Sequence, residues 1–302
     1  MLRKLTFILL ALGLLLTACS PSAPAAGAIK LTDGLGREVS LAAPAQRVVS
    51  LAPSNTEILF AIGAGSQVVG RDEFSDYPAE AAALDSVGGS MGEYSVEAIV
   101  ALKPDLVLAA EINKPELVKQ LEDLGLTVYY LKNPKTIEEM YTNLGIVGQL
   151  TGHDVTGVVD GLKARVQAVD DKIATATERP AIFYEIDATD PAKPYTYGPG
   201  SFGDLLITRA GGVNVGSQLT DSYPQISLEQ LVVSNPSIIL LGDAQWGTTP
   251  ESVLVRPGWE SIAAVQSKSV FPVDDNMISR PGPRLVDGLE ALAKLIHPEL
   301  FQ

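Results

Sequence analysis

The stretch SVEAIVALKPDLVLA at residues 95–109 recurs in closely similar form as SLEQLVVSNPSIILL at residues 227–241. In each copy a serine precedes apolar residues spaced three and four positions apart, which predicts a short serine-capped helix with one buried face. A proline stops that helix, and the apolar run that follows it predicts a buried strand. Each copy therefore predicts a helix that leads into a strand of a parallel sheet.

Short apolar runs alternate with helix-like segments along most of the chain. The runs that predict strands are residues 47–52, 105–109, 127–131, 181–186, 237–241 and 270–273. A second pair of similar segments, LFAIGAGSQVVG at residues 59–70 and LLITRAGGVNVG at residues 205–216, follows the same order in the two halves. The alternation predicts an α/β fold with parallel sheets. The shared order predicts two Rossmann-like lobes that face each other across a ligand cleft.

A single long helix is predicted between the two halves, over residues 154–177. Its apolar residues recur at helical spacing and form one stripe: Val155, Val158, Val159, Leu162, Val166, Val169 and Ile173. A helix of about 24 residues is about 36 Å long, enough to connect two lobes. We therefore expect an N-terminal lobe over residues 29–150, a connecting helix within residues 151–179 and a C-terminal lobe over residues 180–302.

The N-terminus has the features of a lipoprotein signal. Arg3 and Lys4 precede an apolar run at residues 5–16, and the sequence Leu-Thr-Ala-Cys that follows resembles the lipobox of bacterial lipoproteins. This pattern predicts a signal peptide over residues 1–18, lipidation of Cys19 and a tether rich in proline and alanine over residues 19–28. We expect an extracytoplasmic protein anchored to the cell membrane as a lipoprotein.

The charge balance argues against a polyanionic partner. The chain has 22 lysines and arginines against 36 aspartates and glutamates, a formal net charge of −14. A protein with this excess of negative charge repels the phosphates of nucleic acid. We therefore expect no nucleic acid partner.

Few residues suit metal binding or hydrolysis. The only histidines are His153 and His297, both expected at the surface, so the sequence predicts no metal site. A secreted lipoprotein hydrolase is the alternative from another class, with Ser54 or Ser201 as its nucleophile. Neither serine lies in a Gly-x-Ser-x-Gly motif, so we expect a protein that is not an enzyme.

The glutamate at the third position of each repeated stretch falls outside the buried face of its helix. Glu97 and Glu229 lie in the first helical turn, where a carboxylate is stabilised by the helix dipole by about 0.3–1 kcal/mol. That effect is sufficient to explain either glutamate alone. Two exposed carboxylates at matched positions, one in each lobe, also suit a partner with two positive sites.

Several motifs together carry a resemblance to a known family. They are the lipobox, RVVSLAPSNTEILFAIGAG at residues 47–65, SDYP at 75–78, GPGSFGDLL at 198–206, AGGVNV at 210–215 and SRPGPR at 279–284. With these motifs the chain resembles periplasmic-binding proteins of the cobalamin and iron-siderophore type, which serve ABC importers. The resemblance implies a monomer that docks Glu97 and Glu229 onto arginines of a permease dimer with its ATPase subunits.

The resemblance also implies where a ligand binds, on loops at strand ends that face the cleft. Tyr195, Met277 and Arg284 are further candidates on such loops. The residues that we predict to contact ligand are Phe74, Tyr77, Tyr94, Tyr197, Tyr223, Trp246 and Arg280. Aromatic rings with one or two arginines suit a large amphipathic ligand. We expect no cofactor, but a ligand that itself contains a metal.

The identity of that ligand stays open on the sequence alone. Cobalamin-binding relatives place tryptophans where this sequence has Phe74, Ala110 and Tyr223. A corrinoid and a ferric-siderophore chelate are the two main candidates, the latter through the positive charge of Arg280 and Arg284. Haem is the third, with Tyr94 or Tyr197 as the axial ligand of its iron.

Overall fold

A computed structural model of the chain describes residues 28–89 and 93–302. The predicted signal peptide, Cys19 and the tether up to residue 27 lie outside the described residues. The described chain begins with an antiparallel hairpin of β1 (Ile29–Thr32) and β2 (Glu38–Leu41), which precedes the N-terminal lobe. Among the described residues, no helix combines the length and the apolar character that are needed to cross a membrane.

The N-terminal lobe is built on a parallel sheet with the strand order β4-β3-β5-β6. Its strands are β3 (Val48–Ser50), β4 (Val68–Arg71), β5 (Leu106–Ala110) and β6 (Val128–Leu131). The helices of this lobe are α1 (Pro53–Ala61), α2 (Val96–Ala101), α3 (Pro115–Asp123) and α4 (Ile137–Thr151). The strands are almost entirely buried because helices cover both faces of the sheet.

The C-terminal lobe repeats this arrangement with the strand order β8-β7-β9-β10. Its strands are β7 (Ala181–Glu185), β8 (Val213–Asn214), β9 (Ile238–Leu241) and β10 (Val270–Pro272). Its helices are α6 (Phe202–Arg209), α7 (Leu228–Ser234), α8 (Pro250–Leu254), α9 (Ala263–Ser267), α10 (Asn276–Ser279) and α11 (Leu285–Ile296). In both lobes the first strand lies between the second and the third, so the prediction of two lobes of like topology is confirmed.

The two repeated stretches have the same local structure. Ser95 caps α2 by accepting a hydrogen bond from the Ala98 N–H, and Ser227 caps α7 with the full capping box. The residue before each proline, Lys103 or Asn235, has a left-handed backbone. The helix and strand predicted from each copy are therefore confirmed, and in both copies a left-handed residue lies between them.

The connecting helix α5 spans Thr156–Ile173, 18 residues, and is shorter than predicted at both ends. Its stripe of Leu162, Val166, Val169 and Ile173 is buried in a hydrophobic core that continues from one lobe into the other. Arg165 of α5 also forms ion pairs with two acidic residues of α11. The helix is therefore packed along its length against the C-terminal lobe.

One expectation about the histidines is wrong. His297 has only 3% of its surface exposed, because its ring packs against Gly211 and its Nε2 lies 3.3 Å from the carbonyl oxygen of that residue. A side chain at Gly211 would collide with the ring. His153 is half-buried and its Nε2 lies 3.1 Å from Oε1 of Gln67.

Candidate functional site

The two lobes meet at an ion cluster that we call the inter-lobe cluster: Glu57, Asp76, Asp274, Arg280 and Arg284. Glu57 lies on α1 of the N-terminal lobe, and its side chain is 1% exposed. Arg284 donates to it from Nη2 at 2.6 Å and from Nε at 3.0 Å, while Arg280 donates from Nη1 at 3.2 Å. One buried carboxylate thus joins two arginines of the opposite lobe.

The remaining acids complete this cluster from its rim. Nη1 of Arg280 lies 2.7 Å from Oδ1 of Asp76, and Nη1 of Arg284 lies 3.6 Å from Oδ2 of Asp274. Burial lowers the pKa of Arg284, but its hydrogen bonds to Glu57 and the charge of Glu57 outweigh burial, so the pKa is raised. Both arginines are thus paired with carboxylates of the cluster, which holds three acidic residues against two arginines.

The loop that follows β4 presents two of the predicted aromatic residues. The carboxylate of Asp72 accepts hydrogen bonds from the Phe74 N–H at 3.0 Å and the Ser75 hydroxyl at 3.3 Å, which tightens the turn. Phe74 is 41% exposed and Tyr77 is 46% exposed. The guanidinium of Arg284 stacks 4.2 Å from the centre of the Tyr77 ring, so this ring lies beside the inter-lobe cluster.

The C-terminal lobe presents two further aromatic residues on loops after β8 and β9. Tyr223 is 59% exposed, with its ring centre 5.9 Å from that of the buried Tyr197. Trp246 ends a 3-10 turn, Gly242–Trp246, and is 76% exposed. Exposed aromatic residues therefore occur on loops of both lobes, and their contact with ligand stays a prediction.

Tyr197 is buried, unlike the other aromatic residues that we predict to contact ligand. It is 2% exposed, and its hydroxyl donates to Oδ1 of Asp275 at 2.8 Å, as does the hydroxyl of the buried Tyr184. Burial and the charge of Asp275 raise the pKa of Tyr197 well above its ordinary value. The ring packs against that of Tyr223, and its contact with a ligand stays a prediction.

Tyr94 is half-buried and already hydrogen-bonded. Its hydroxyl donates to the carbonyl oxygen of Leu51 at 2.7 Å and accepts from Nδ2 of Asn113 at 2.8 Å. Its ring borders a groove beside Glu97. Both tyrosine hydroxyls considered as axial haem ligands, those of Tyr94 and Tyr197, are therefore engaged within the protein.

The two repeated glutamates are exposed, as predicted, and each borders a groove of its own lobe. The groove beside Glu97 has a volume of about 480 Å³ and includes Ile112, which is 62% exposed. The groove beside Glu229 has a volume of about 450 Å³ and includes Val233, which is 84% exposed. Each lobe thus presents a carboxylate next to an exposed apolar side chain.

A pocket of about 600 Å³ opens between the lobes beside the inter-lobe cluster. Its apolar wall includes Phe60 of α1 and Leu162 of the connecting helix, and Tyr77 and Arg284 also line it. The pocket therefore reaches from the loop after β4 to the connecting helix.

Two buried carboxyl groups, those of Glu185 and Asp243, lie close together at the Trp246 loop, and no pattern in the sequence indicated them. Glu185, at the end of β7, has no exposed surface and forms two hydrogen bonds with Arg256, one of them 2.8 Å long. Asp243 is also buried, and its Oδ2 accepts from the Thr248 hydroxyl at 2.7 Å. Burial and the neighbouring Asp243, only partly offset by Arg256, raise the pKa of Glu185 to about 7.

The alternative chemistries find little support in the described part of the chain. Residues 28–89 and 93–302 contain no group of three or more histidine, cysteine, aspartate or glutamate side chains placed to hold a metal ion. His153 is hydrogen-bonded to Gln67, and His297 to Glu299. Ser201 caps α6 and donates to the carbonyl oxygen of Gly198. The described histidines thus offer Ser201 no general base.

Two α/β lobes joined by one helix, with aromatic loops on both, form the architecture of a two-lobed binding protein. Residues 48–277 match the family described as periplasmic binding protein, and the chain belongs to this family. It is 32% identical over 281 residues to the ABC transporter substrate-binding lipoprotein YvrC of Bacillus subtilis. The match covers 91% of this chain and 87% of YvrC.

Solved structures of periplasmic binding proteins are also similar to this chain. The periplasmic vitamin B12 binding protein BtuF of Vibrio cholerae has a TM-score of 0.69 at 28% identity, covering 86% of this chain and 99% of that one. The periplasmic heme-binding protein RhuT from Roseiflexus sp. RS-1, in its apo form, has a TM-score of 0.73 at 25% identity, covering 84% of this chain and 99% of that one. These similar proteins are binding proteins, and their named ligands differ.

Proposed function

We propose that this chain is the substrate-binding lipoprotein of an ABC importer, and that it captures a corrinoid between its lobes and delivers it to the permease. The family and the similarity to YvrC support the importer role. The lipobox supports extracytoplasmic anchoring through a lipid on Cys19. The lobes bind the ligand, and the anchor keeps the protein near the permease.

The observation that carries the choice of ligand is the pairing of both arginines in the inter-lobe cluster. Glu57, Asp76 and Asp274 already balance Arg280 and Arg284. A ferric siderophore or haem brings negative charge, and would have to compete with these carboxylates for the guanidinium groups. A corrinoid with amide side chains and no net charge requires no free cation, so the cluster favours a corrinoid.

The aromatic loops suit the same ligand. Phe74 and Tyr77 from one lobe, with Tyr223 and Trp246 from the other, give apolar surface to the faces of a large macrocycle. Phe74 and Tyr223 also keep an aromatic ring at two of the positions where cobalamin-binding relatives place tryptophan. Haem, the second candidate, has less support because the hydroxyls of Tyr94 and Tyr197 are engaged elsewhere.

Delivery requires a docking surface, which we assign to Glu97 and Glu229. Both are exposed in the first turn of matched helices, one in each lobe. Two equivalent carboxylates fit a permease dimer that presents one positive site in each subunit. The ATPase subunits of the importer then act on the permease and not on this chain.

Hinge motion is expected to be small. The connecting helix shares a core with both lobes, and Arg209 of α6 pairs with Asp170 of this helix at 2.7 Å. A packed helix resists bending more than an extended linker does. The ligand is therefore expected to enter by a limited opening of the lobes.

Native mass spectrometry of the full-length protein purified from its host tests the ligand. We expect a co-purified corrinoid at one per chain, and saturable quenching of tryptophan fluorescence on titration with cyanocobalamin and cobinamide. Trp246 is the exposed reporter for this titration, and Trp259 is buried. Binding of haem or a ferric siderophore, without binding of either corrinoid, would overturn the choice of ligand.

A further inference from the structure

Asp76 differs from the other acid that holds Arg280. Its side chain is 61% exposed, whereas that of Glu57 is 1% exposed. Asp76 also lies on the loop that presents Phe74 and Tyr77, so its carboxylate is at the rim of the cleft. Of the two carboxylates that pair with Arg280, that of Asp76 is therefore the one accessible to a ligand in the cleft.

Arg280 lies closer to Asp76 than to Glu57. Its Nη1 is 2.7 Å from Asp76 but 3.2 Å from Glu57, and Glu57 is already bonded twice to Arg284. Without the Asp76 carboxylate, Arg280 would keep only the carboxylate that it shares with Arg284, and a ligand in the cleft could take the hydrogen bond that Asp76 now accepts.

We propose that Asp76 is a specificity-determining residue, which keeps Arg280 paired and so disfavours anionic chelates relative to uncharged corrinoids. An anion that approached Arg280 would have to displace this carboxylate and would then lie beside it, at an additional cost from like-charge repulsion. An uncharged ligand leaves the pair intact. This inference rests on the proposed function, and it adds the residue that excludes the competing class of ligand.

The test compares two ligands and two matched variants of the full-length protein. The ligands are cyanocobalamin, which has no net charge, and a ferric tris-catecholate complex, which is a trianion. Asp76→Asn is compared with Asp274→Asn, which removes the same charge from the same cluster but contacts Arg284 instead of Arg280. Dissociation constants are measured by tryptophan fluorescence at one ionic strength.

We expect Asp76→Asn to increase the affinity for the trianion, relative to that for cyanocobalamin, on the order of tenfold. Asp274→Asn should change this ratio much less, and Asp76→Asn with Arg280→Gln should lose the gain. Equal gains in both single variants would show a general charge effect and overturn the inference, as would no gain in Asp76→Asn. Circular dichroism of each variant verifies that it is folded.

The outcome for the ligand class is separate from the outcome for Asp76. Failure of the wild-type protein to bind cyanocobalamin would contradict the corrinoid proposal. In that case the affinity for the trianion in Asp76→Asn, compared with wild type and Asp274→Asn, still decides the role of Asp76. Binding of cyanocobalamin by the wild type, with no gain for the trianion in Asp76→Asn, would retain the proposed function and refute this inference.

Discussion

Glu57 in the N-terminal lobe and Arg284 in the C-terminal lobe form a two-bond ion pair in the interior, with contacts of 2.6 and 3.0 Å. The pair joins positions 227 residues apart in sequence. Removing one partner of a buried ion pair leaves an uncompensated charge, which costs about 3–5 kcal/mol. The contact between the lobes therefore depends strongly on one carboxylate.

Glu57→Gln should lower the free energy of unfolding by about 3 kcal/mol, because Arg280 and Arg284 lose their shared buried carboxylate. Urea denaturation followed by circular dichroism measures this change. Glu38→Gln, in the exposed Lys30–Glu38 pair, is the control and should have little effect. Equal stability of Glu57→Gln and the wild type would show that the pair does not hold the lobes together.

The local part of the fold was predictable because its signals lie within a few residues of one another. Ser95 and Ser227 each cap a helix, and Pro104 and Pro236 each follow its end, so both copies could be read as helix then strand. The like topology of the two lobes also followed from the repetition. The hairpin of β1 and β2, with only four residues in each strand, was missed because short strands carry little pattern.

The candidate site was less predictable because its contacts join distant residues. Glu57 lies in the motif at residues 47–65, but no neighbouring residue indicates that it pairs with Arg284 of the other lobe. Tyr197 was expected on a cleft loop because the family resemblance implies ligand contacts on loops at strand ends. Its burial instead depends on Asp275, 78 residues later, which accepts its hydroxyl. Which residues pair across such sequence separations depends on how whole lobes pack.

Lys103→Gly should stabilise the protein by about 1 kcal/mol. Lys103 has a φ of +48°, which is costly for a residue with a β-carbon and readily adopted by glycine. Thermal unfolding of the full chain measures the effect, with Lys103→Ala as the control that retains the β-carbon. Asn235, at the matched position with a φ of +43°, is already a residue that tolerates this conformation. A destabilised Lys103→Gly variant would contradict this explanation.

Glu185 should make stability depend on pH. Burial raises its pKa to about 7 from an ordinary value of 4.5, so between these values the folded protein retains a proton that the unfolded chain releases. The free energy of unfolding should therefore fall as pH rises from about 5 to 7, with a slope of at most about 1.4 kcal/mol per pH unit from this residue.

Two variants separate Glu185 from other titrating groups. Glu185→Gln should remove this contribution to the slope, measured by urea denaturation at several pH values. Asp243→Asn removes a charge that raises the pKa of Glu185 in the folded protein, so it should lower the upper end of the pH-dependent range. Glu251→Gln, at an exposed position in α8, is the control and should leave the profile as in the wild type. An unchanged profile in both Glu185→Gln and Asp243→Asn would refute the assignment.

Charge reversal at the two docking glutamates should abolish transport without loss of ligand binding. Glu97→Lys with Glu229→Lys replaces both carboxylates by cations, which would repel positive sites on a permease dimer. Both residues are exposed on helices away from the inter-lobe cluster, so the affinity for ligand should be nearly unchanged. Uptake of ligand by cells measures transport, and fluorescence titration measures affinity.

The matched control reverses two other glutamates, Glu116→Lys with Glu251→Lys. These residues are also exposed in the first turn of a helix, one in each lobe, so the change in charge and the loss of helix-dipole stabilisation are alike. Transport should continue in the control and stop in the docking variant, because only the latter changes the paired sites on α2 and α7. Normal uptake by the docking variant, or equal loss in both variants, would show that Glu97 and Glu229 have no specific part in docking.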